Sequence, residues 1–88
     1  MGKISQHILK AARDRNLVVT VRVGKSGLTD NILREISEQL SARGLVKIKF
    51  NRGVFAPEDK KLAIQMICTD CKATLVEAKG NVVIVYQP

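Results

Sequence analysis

The last strand-like segment of the chain constrains the fold more than any other feature. Residues 82–86 read Val-Val-Ile-Val-Tyr, so apolar side chains project from both faces of the predicted strand. A strand of this kind is covered on both faces and belongs in the middle of a sheet. The preceding Lys79-Gly80-Asn81 indicates a turn, so residues 73–78 and 82–86 are predicted to form a hairpin. The fold must therefore place its last strand between two others.

Two more strands and three helices are predicted before this hairpin. Residues 17–23 are rich in valine, and residues 46–50 alternate apolar and basic side chains, as half-buried strands do. Apolar residues recur with helical spacing in residues 4–15, in residues 29–43 and from residue 57 onward. The elements therefore follow the order α-β-α-β-α-β-β.

The second and third helices have recognisable start and stop signals. Thr29 is a suitable N-cap, and Gly44 is typical of the residue that ends a helix. Pro57 is predicted to be the first residue of the third helix, because its missing amide hydrogen is tolerated there. The apolar face of that helix, predicted to enter the core, comprises Leu62, Ala63, Met66 and Ile67.

The order of elements predicts one topology. A chain of 88 residues is expected to form a single domain, residues 1–88. Strands 1 and 2 are joined through a helix, so they should be parallel with a right-handed crossover. Placing the apolar last strand between strands 2 and 3 gives the order 1-2-4-3, with strand 4 antiparallel to the rest. We therefore predict an α/β fold, an α+β sandwich with a four-stranded mixed sheet.

Positive charge is concentrated in the first part of the chain. The net charge is +7, and residues 1–52 hold 11 basic against 4 acidic side chains. Residues 53–88 hold 4 of each sign, so they contribute no net charge. Such asymmetry favours a polyanionic partner, most often a nucleic acid, although a basic surface can also serve solubility alone.

A glycine-containing loop follows the first strand and resembles two nucleotide-binding motifs without matching either. Gly24-Lys25-Ser26 looks like the end of a Walker A loop, but that motif requires a glycine at position 19, where the chain has Val19. A dinucleotide-binding G-x-G-x-x-G motif requires a glycine where Arg22 stands. Neither a P-loop nor a Rossmann site is therefore predicted.

What remains is a G-x-x-G loop between a strand and a helix. Gly24 and Gly27 can take backbone dihedrals closed to other residues, and they carry no Cβ to block a ligand. The loop leads into a helix N-terminus, where free amide groups favour an anion. Lys25 and Ser26 add a cation and a hydroxyl donor at the tip. This chemistry fits the sugar–phosphate backbone of a nucleic acid, as in KH domains.

Other cations are expected to extend this contact. The carboxyl ends of strands 1 and 2 and the hairpin turn should share one edge of the sheet, which brings Lys25, Arg52 and Lys79 together. Arg22 adds a positive charge just before the loop. Lesser candidates on the first helix are Lys3, Lys10 and Arg13.

No catalytic residue, metal site or cofactor is predicted. His7 has no carboxylate paired with it in sequence and is interpreted as a surface or helix-face residue. Cys68 and Cys71 form a C-x-x-C pair, but structural zinc needs four ligands, and the pair ends a helix where the dipole does not activate thiols. Phe55 either stacks on a base or packs against the third helix.

These residues together resemble the CRM domain family, named for chloroplast RNA splicing and ribosome maturation. The resemblance is carried by the stretch VGKSGLT at residues 23–29, by Ile36, by residues 45–49, and by the ending G-x-x-V-x-x-Y-x-P at residues 80–88. It implies a KH-like fold, similar to the C-terminal domain of a bacterial translation initiation factor. It also implies RNA contact at Gly24, Lys25, Ser26 and Gly27. Free-standing members associate with large ribosomal subunit precursors, and plant members assist group II intron splicing.

The sequence thus predicts an RNA-binding module and not an enzyme. Ribosomal RNA, or the precursor of the large ribosomal subunit, is the expected partner. A protein–protein adaptor of the translation machinery and a duplex-DNA binder remain alternatives. The chain shows no apolar run long enough for a membrane span and no signal-peptide pattern, so a cytoplasmic location is expected.

Overall fold

The computed structural model describes residues 6–14, 16–53 and 56–87. These residues form three helices and four strands in the predicted order. The helices are α1 (Gln6–Ala12), α2 (Asp30–Arg43) and α3 (Pro57–Asp70), and the strands are β1 (Val21–Val23), β2 (Leu45–Phe50), β3 (Thr74–Lys79) and β4 (Val82–Tyr86). None of the helices, as far as the described residues extend, is long and apolar enough to cross a bilayer.

The strands form one mixed sheet in the order β1-β2-β4-β3. β1 is parallel to β2, and β4 is antiparallel to both β2 and β3. The predicted α/β topology is therefore confirmed. The central position of β4 agrees with its composition, since Val83, Ile84 and Val85 are all buried although they alternate between the two faces.

One face of the sheet, which we call the core face, packs against α2 and α3. It is entirely apolar, and its buried side chains are Val21, Val23, Val46, Ile48, Phe50, Val83 and Val85. Ile36 and Leu40 of α2, Ala63 and Ile67 of α3, and Cys71 directly after α3 complete the cluster. Each fully buried aliphatic or phenyl side chain contributes about 1.5–3 kcal/mol through removal from water. This face therefore supplies most of the stability of the domain.

The boundaries of α2 follow the predicted signals. The hydroxyl oxygen of Thr29 accepts a hydrogen bond from the amide of Ile32 at 3.2 Å. Gly44 ends the helix with φ of 79°, and its amide donates to the carbonyl of Leu40 at 2.7 Å. A positive φ is open to glycine at no steric cost, which explains the residue at this position.

The predicted core face of α3 is partly wrong. Ala63 and Ile67 are buried, but Leu62 is 62% exposed and Met66 is 47% exposed. Ile64 and Cys68, both half-buried, pack against the core beside Ala63 and Ile67. The face of α3 that enters the core is therefore rotated away from Leu62 and Met66 relative to the predicted face.

The first strand is shorter than predicted. Only Val21–Val23 pairs regularly with β2, although the valine-rich segment starts at residue 17. The register that aligns Val21 with Ile48 sets residues 18–20 opposite residues 45–47, where the amide of Thr20 donates to the carbonyl of Lys47 at 3.1 Å but no regular strand forms. The chain is held there by the ammonium group of Lys47, which donates to the carbonyl of Leu17 at 3.3 Å.

The opposite face of the sheet, which we call the outer face, is only partly covered. α1 packs over β3, and Ala12 is the buried residue of that helix. Ala12 shares a hollow with Val82 and Ile84 of the outer face. This coverage explains why β4 is apolar on both sides, and it leaves the part of the outer face over β1 and β2 open.

Candidate nucleic-acid interface

The glycine loop, residues 24–27, joins β1 to α2 through a tight turn. The amide of Gly27 donates to the carbonyl of Gly24 at 2.9 Å, which closes the turn. Lys25 and Ser26 occupy its two central positions and are exposed. The turn therefore presents a cation and a hydroxyl group to solvent.

The two glycines of the loop have different roles. Gly27 has φ of 71°, in the left-handed region that favours glycine. Gly24 is not among the residues with positive φ, and a Cβ placed there would lie 3.7 Å from Nδ2 of Asn51, an ordinary contact. Of these two glycines, only Gly27 adopts a backbone conformation that other residues rarely take.

Several amide groups around the loop are available to a ligand. Within the described parts of the chain, the amides of Lys25, Ser26 and Leu28 have no hydrogen-bond acceptor. The same holds for Asp30 and Asn31 in the first turn of α2, since the Thr29 side chain caps only Ile32. Unpaired amides at a helix N-terminus carry partial positive charge and favour an anion.

Backbone hydrogen bonds bring the predicted edge together beside this loop. The amide of Asn51, directly after β2, donates to the carbonyl of Val23 at 2.8 Å. The amide of Phe50 donates to the carbonyl of Asn81 in the hairpin turn, also at 2.8 Å. Arg52, in the turn after β2, and Lys79, next to the hairpin turn, are both exposed. The loop, the end of β2 and the hairpin turn therefore share one edge, as the topology predicted.

The register of the sheet aligns three cations on the outer face. Arg22 pairs with Lys49, Lys49 pairs with Val82, and Val82 pairs with Lys79. Residues that pair directly across strands project from the same face. Arg22, Lys49 and Lys79, all exposed, thus form what we call the basic row, which crosses the sheet next to the glycine loop.

The three cations of the basic row form no ion pair in the described residues. The ion pair that the structure shows joins Arg13 to Glu77 at 3.9 Å, and both of these side chains line a hollow beside Lys79. Lys47, on the same face, is half-buried and engaged with the Leu17 carbonyl. Alternation in β2 had placed Lys49 on this face, but only the register shows that it lies between Arg22 and Lys79.

The first helix contributes less to this surface. Arg13, just after α1, lines the same hollow as Lys79, so it lies over the outer face beside the basic row, where it pairs loosely with Glu77. Lys10 is exposed on α1 and lies away from the glycine loop, over the β3 side of the sheet. Lys3 lies outside the described residues.

Lys60 is a further cation at this edge, and it holds the hairpin turn in place. Its ammonium group donates to the carbonyl of Gly80 at 3.0 Å and to Oδ1 of Asn81 at 2.9 Å. These bonds fix the hairpin turn to the start of α3. Lys60 therefore helps to position Lys79, and its charge is already shared with the turn.

The two thiols lie at the end of α3, away from the glycine loop. Cys71 is buried, and its Sγ donates weakly to the carbonyl of Leu33 at 3.5 Å, while Cys68 is half-buried. Burial raises the pKa of both thiols, and the nearby Asp70 carboxylate adds to the rise at Cys71. Neutral, packed thiols agree with a structural role.

The remaining predicted features add no second site. No cluster of three or more metal-binding side chains occurs in the described parts of the chain. His7 is exposed on α1, as expected. Phe50 is buried in the core, and Tyr86 is half-buried. Phe55, whose stacking on a base was an open possibility, lies outside the described residues.

Comparison with known proteins assigns a family to this arrangement. The model of the CRS1/YhbY (CRM) domain matches residues 5–87, nearly the whole chain. The match includes the glycine loop, β1, β2 and the hairpin.

Curated relatives come from archaea and bacteria. The chain is 31% identical over 77 residues to the Methanocaldococcus jannaschii protein named "Probable RNA-binding protein MJ0652", covering 88% of this chain and 57% of the relative. It is 29% identical to "Probable RNA-binding protein YqeI" of Bacillus subtilis, covering 86% of this chain and 77% of the relative. It is 34% identical to a Haemophilus influenzae protein named "RNA-binding protein", covering 77% and 67%. The chain thus spans little more than half of the archaeal relative.

A solved structure has the same fold. The solution structure of the hypothetical protein SAV1595 from Staphylococcus aureus superposes with a TM-score of 0.74. The match covers 94% of this chain and 83% of that chain at 23% sequence identity. At this identity the likeness establishes the architecture and nothing more.

Proposed function

Because the chain belongs to the CRS1/YhbY (CRM) domain family, we propose that it binds RNA through the glycine loop and the basic row. The observation that carries the proposal is the group of unpaired amides at Lys25, Ser26 and Leu28, in the loop that leads into α2. Three curated relatives are named as RNA-binding proteins, which supports RNA as the partner.

In this proposal one phosphate lies on the glycine loop. The loop amides and the Ser26 hydroxyl donate hydrogen bonds to its oxygens, and the Lys25 ammonium group adds a charge-assisted contact. Gly27 permits the turn, and the absence of side chains at Gly24 and Gly27 lets the sugar–phosphate backbone approach closely. No step of catalysis is involved.

Neighbouring phosphates lie along the basic row. Adjacent strands are about 4.8 Å apart, so three inter-strand steps from Arg22 to Lys79 extend the positive surface by roughly 14 Å. Arg52 borders the row at the end of β2, and Arg13 lies beside it over the outer face, near Lys79. Lys10 is a peripheral contact. Such contacts position an RNA strand without reading its bases.

The RNA that we propose is ribosomal. The family resemblance implies association of free-standing members with precursors of the large ribosomal subunit, and a basic, mostly sequence-independent surface suits structured RNA. Crosslinking in cells followed by sequencing of the bound RNA tests this part. Enrichment of large-subunit ribosomal RNA is expected, and enrichment of messenger RNA alone would contradict it.

The test of the glycine loop is the double variant Lys25→Asp, Ser26→Asp. We expect RNA affinity to fall by on the order of 2–3 kcal/mol, because repulsion replaces charge-assisted hydrogen bonds. Both side chains are exposed, so the melting temperature should hardly change. The matched control is Lys72→Asp, Thr74→Asp, which makes the same charge change at the opposite edge of the sheet. Equal affinity of the two variants would remove the loop from the interface.

Salt titration separates this proposal from its alternatives. With four to six phosphates neutralised, the logarithm of affinity should fall with a slope of about −3 to −4 against the logarithm of salt for single strands. A flat response would favour a protein partner in place of RNA. Competition with duplex DNA provides the other comparison, since a DNA binder would prefer the duplex to folded or single-stranded RNA.

A further inference from the structure

The side of the glycine loop that faces α3 differs from the side that faces the basic row. A groove of about 430 Å³ runs between the loop and α3. Ser26 and Gly27 form one wall, and Asp59, Leu62 and Met66 form the other. The same turn that presents free amides on its tip therefore borders a mainly apolar groove.

The apolar wall of the groove is exposed to solvent. Leu62 is 62% exposed and Met66 is 47% exposed. They lie four positions apart, so they are stacked on the same side of α3, one turn from each other. Ala63 and Ile67 of the same helix are buried in the core. Two large apolar side chains thus remain uncovered next to a polar loop.

Among the described residues that line the groove, Asp59 is the one with a charged side chain. It is exposed, and it has no hydrogen-bond partner in the parts of the chain that the structure describes. A carboxylate repels a phosphate, so the backbone of a bound RNA should lie on the side of the basic row. The same carboxylate accepts hydrogen bonds from N–H groups, which the edges of nucleobases provide.

We propose that this groove holds one guanine base of the RNA, with Leu62 and Met66 against the face of the ring and Asp59 on its edge. The inference rests on the proposed function, because the phosphate on the loop delivers the attached nucleotide to the groove. The charge pattern fits a nucleotide. The cations of the basic row lie on the side of the loop where the phosphates would run, and the acceptor Asp59 lies on the side where the base would sit. The groove volume lies within the range of small-molecule sites.

Guanine is favoured by the geometry of its donors. A carboxylate has two oxygens and binds best to two adjacent N–H groups. The Watson–Crick edge of guanine offers such a pair, at N1 and at the 2-amino group. Adenine and cytosine offer one amino group next to an acceptor, and uracil offers one N–H between two acceptors. Recognition of unstacked bases through their Watson–Crick edges is usual for single-stranded RNA.

Eight-nucleotide oligouridines that carry one central guanosine, adenosine, cytidine or inosine test the inference by fluorescence anisotropy. We expect the guanosine oligomer to bind about tenfold more tightly than oligouridine, a typical effect of one good bidentate contact. Inosine lacks the 2-amino group and should lose most of that preference. Adenosine and cytidine should bind like uridine.

Variants of the groove identify the contact. Asp59→Ala should abolish the preference for guanosine while leaving the affinity for oligouridine equal or slightly higher, because a negative charge is removed. The matched control is Glu58→Ala, an exposed acid on the same helical turn that does not line the groove. Leu62→Ala with Met66→Ala should weaken binding of all the oligomers, and Leu75→Ala, another exposed leucine, should not.

The outcomes distinguish this inference from the proposed function. If the oligomers bind equally, and binding still depends on Lys25 and Ser26, the guanine site is refuted and the RNA-binding proposal stands. If Glu58→Ala removes the preference as fully as Asp59→Ala, the groove is not its source. If no oligomer or folded RNA binds at all, the proposed function itself fails.

Discussion

The two faces of the sheet differ in almost every physical property, although they are built from the same strands. On β2, Val46, Ile48 and Phe50 are buried on the core face, while Lys47 and Lys49 project from the outer face. The core face is covered by two helices, and the outer face has α1 over only part of it. Successive residues of one strand therefore serve two separate purposes.

This separation shows how a small domain can carry a concentrated positive charge. Aligning Arg22, Lys49 and Lys79 costs free energy through mutual repulsion, but exposed charges interact weakly in water. Because stability comes from the core face, the outer face can retain cations that have no internal partner. Substitutions on the core face should therefore change the stability of the domain, whereas substitutions in the basic row should change its affinity for RNA.

The largest expected contrast is between two neighbours on β2. Ile48→Ala should lower the free energy of unfolding by about 2–5 kcal/mol, because it leaves a cavity in the fully buried core. Lys49→Ala should change that free energy by less than about 0.5 kcal/mol, as exposed positions usually do. Urea unfolding followed by circular dichroism measures both. A large loss of stability in Lys49→Ala would contradict the division between the faces.

The next contrast concerns RNA affinity. Replacing Arg22, Lys49 and Lys79 together by alanine should weaken RNA binding by on the order of 2 kcal/mol and make the salt slope shallower by about 2. The melting temperature should stay the same, since none of the three is buried. The matched control replaces Arg34, Lys61 and Lys72, which carry the same total charge elsewhere. An equal loss in the control would mean that net charge alone, and not the row, drives binding.

Much of the core face could be predicted from local patterns. The caps of α2 at Thr29 and Gly44 follow from backbone chemistry within one helical turn, and the structure confirms both. The strand order followed from one observation, the double-sided apolar character of β4. Such features depend on short segments of sequence, where few physical alternatives compete.

Features that depend on how elements meet could be predicted less well. The basic row needs the register between β1, β2 and β4, which no single segment specifies, so alternation alone does not place Lys49 between Arg22 and Lys79. The exposure of Leu62 and Met66 depends on how much of α3 its neighbours cover. The length of β1 depends on how far its pairing with β2 extends. Each of these is a property of two elements together.

The glycine loop provides a smaller contrast, between its own two ends. Gly27→Ala should destabilise the domain by about 1–2 kcal/mol, because its φ of 71° is unfavourable for a residue with a Cβ. Gly24→Ala should change stability by less than about 0.5 kcal/mol, because the added Cβ meets only Asn51 at contact distance. Denaturant titration measures the free energy of unfolding of both variants. Equal destabilisation would indicate that the turn, and not the dihedral at Gly27, sets the requirement for glycine.

The smallest effect belongs to the thiols near the core face. The pKa of Cys68 and of Cys71 is raised in the folded state, chiefly by burial, so the native protein holds these protons more tightly than the unfolded chain. The free energy of unfolding should therefore be fully retained below the ordinary thiol pKa and should fall as the pH rises through the higher folded-state values. Both thiols belong to the core side of the domain, so the decline should originate there. Unfolding at pH 7.5 and at pH 9.5 measures the decline, and Cys68→Ala with Cys71→Ala should reduce it. A decline that persists in full in that double variant would assign the pH dependence to charges elsewhere on the molecule.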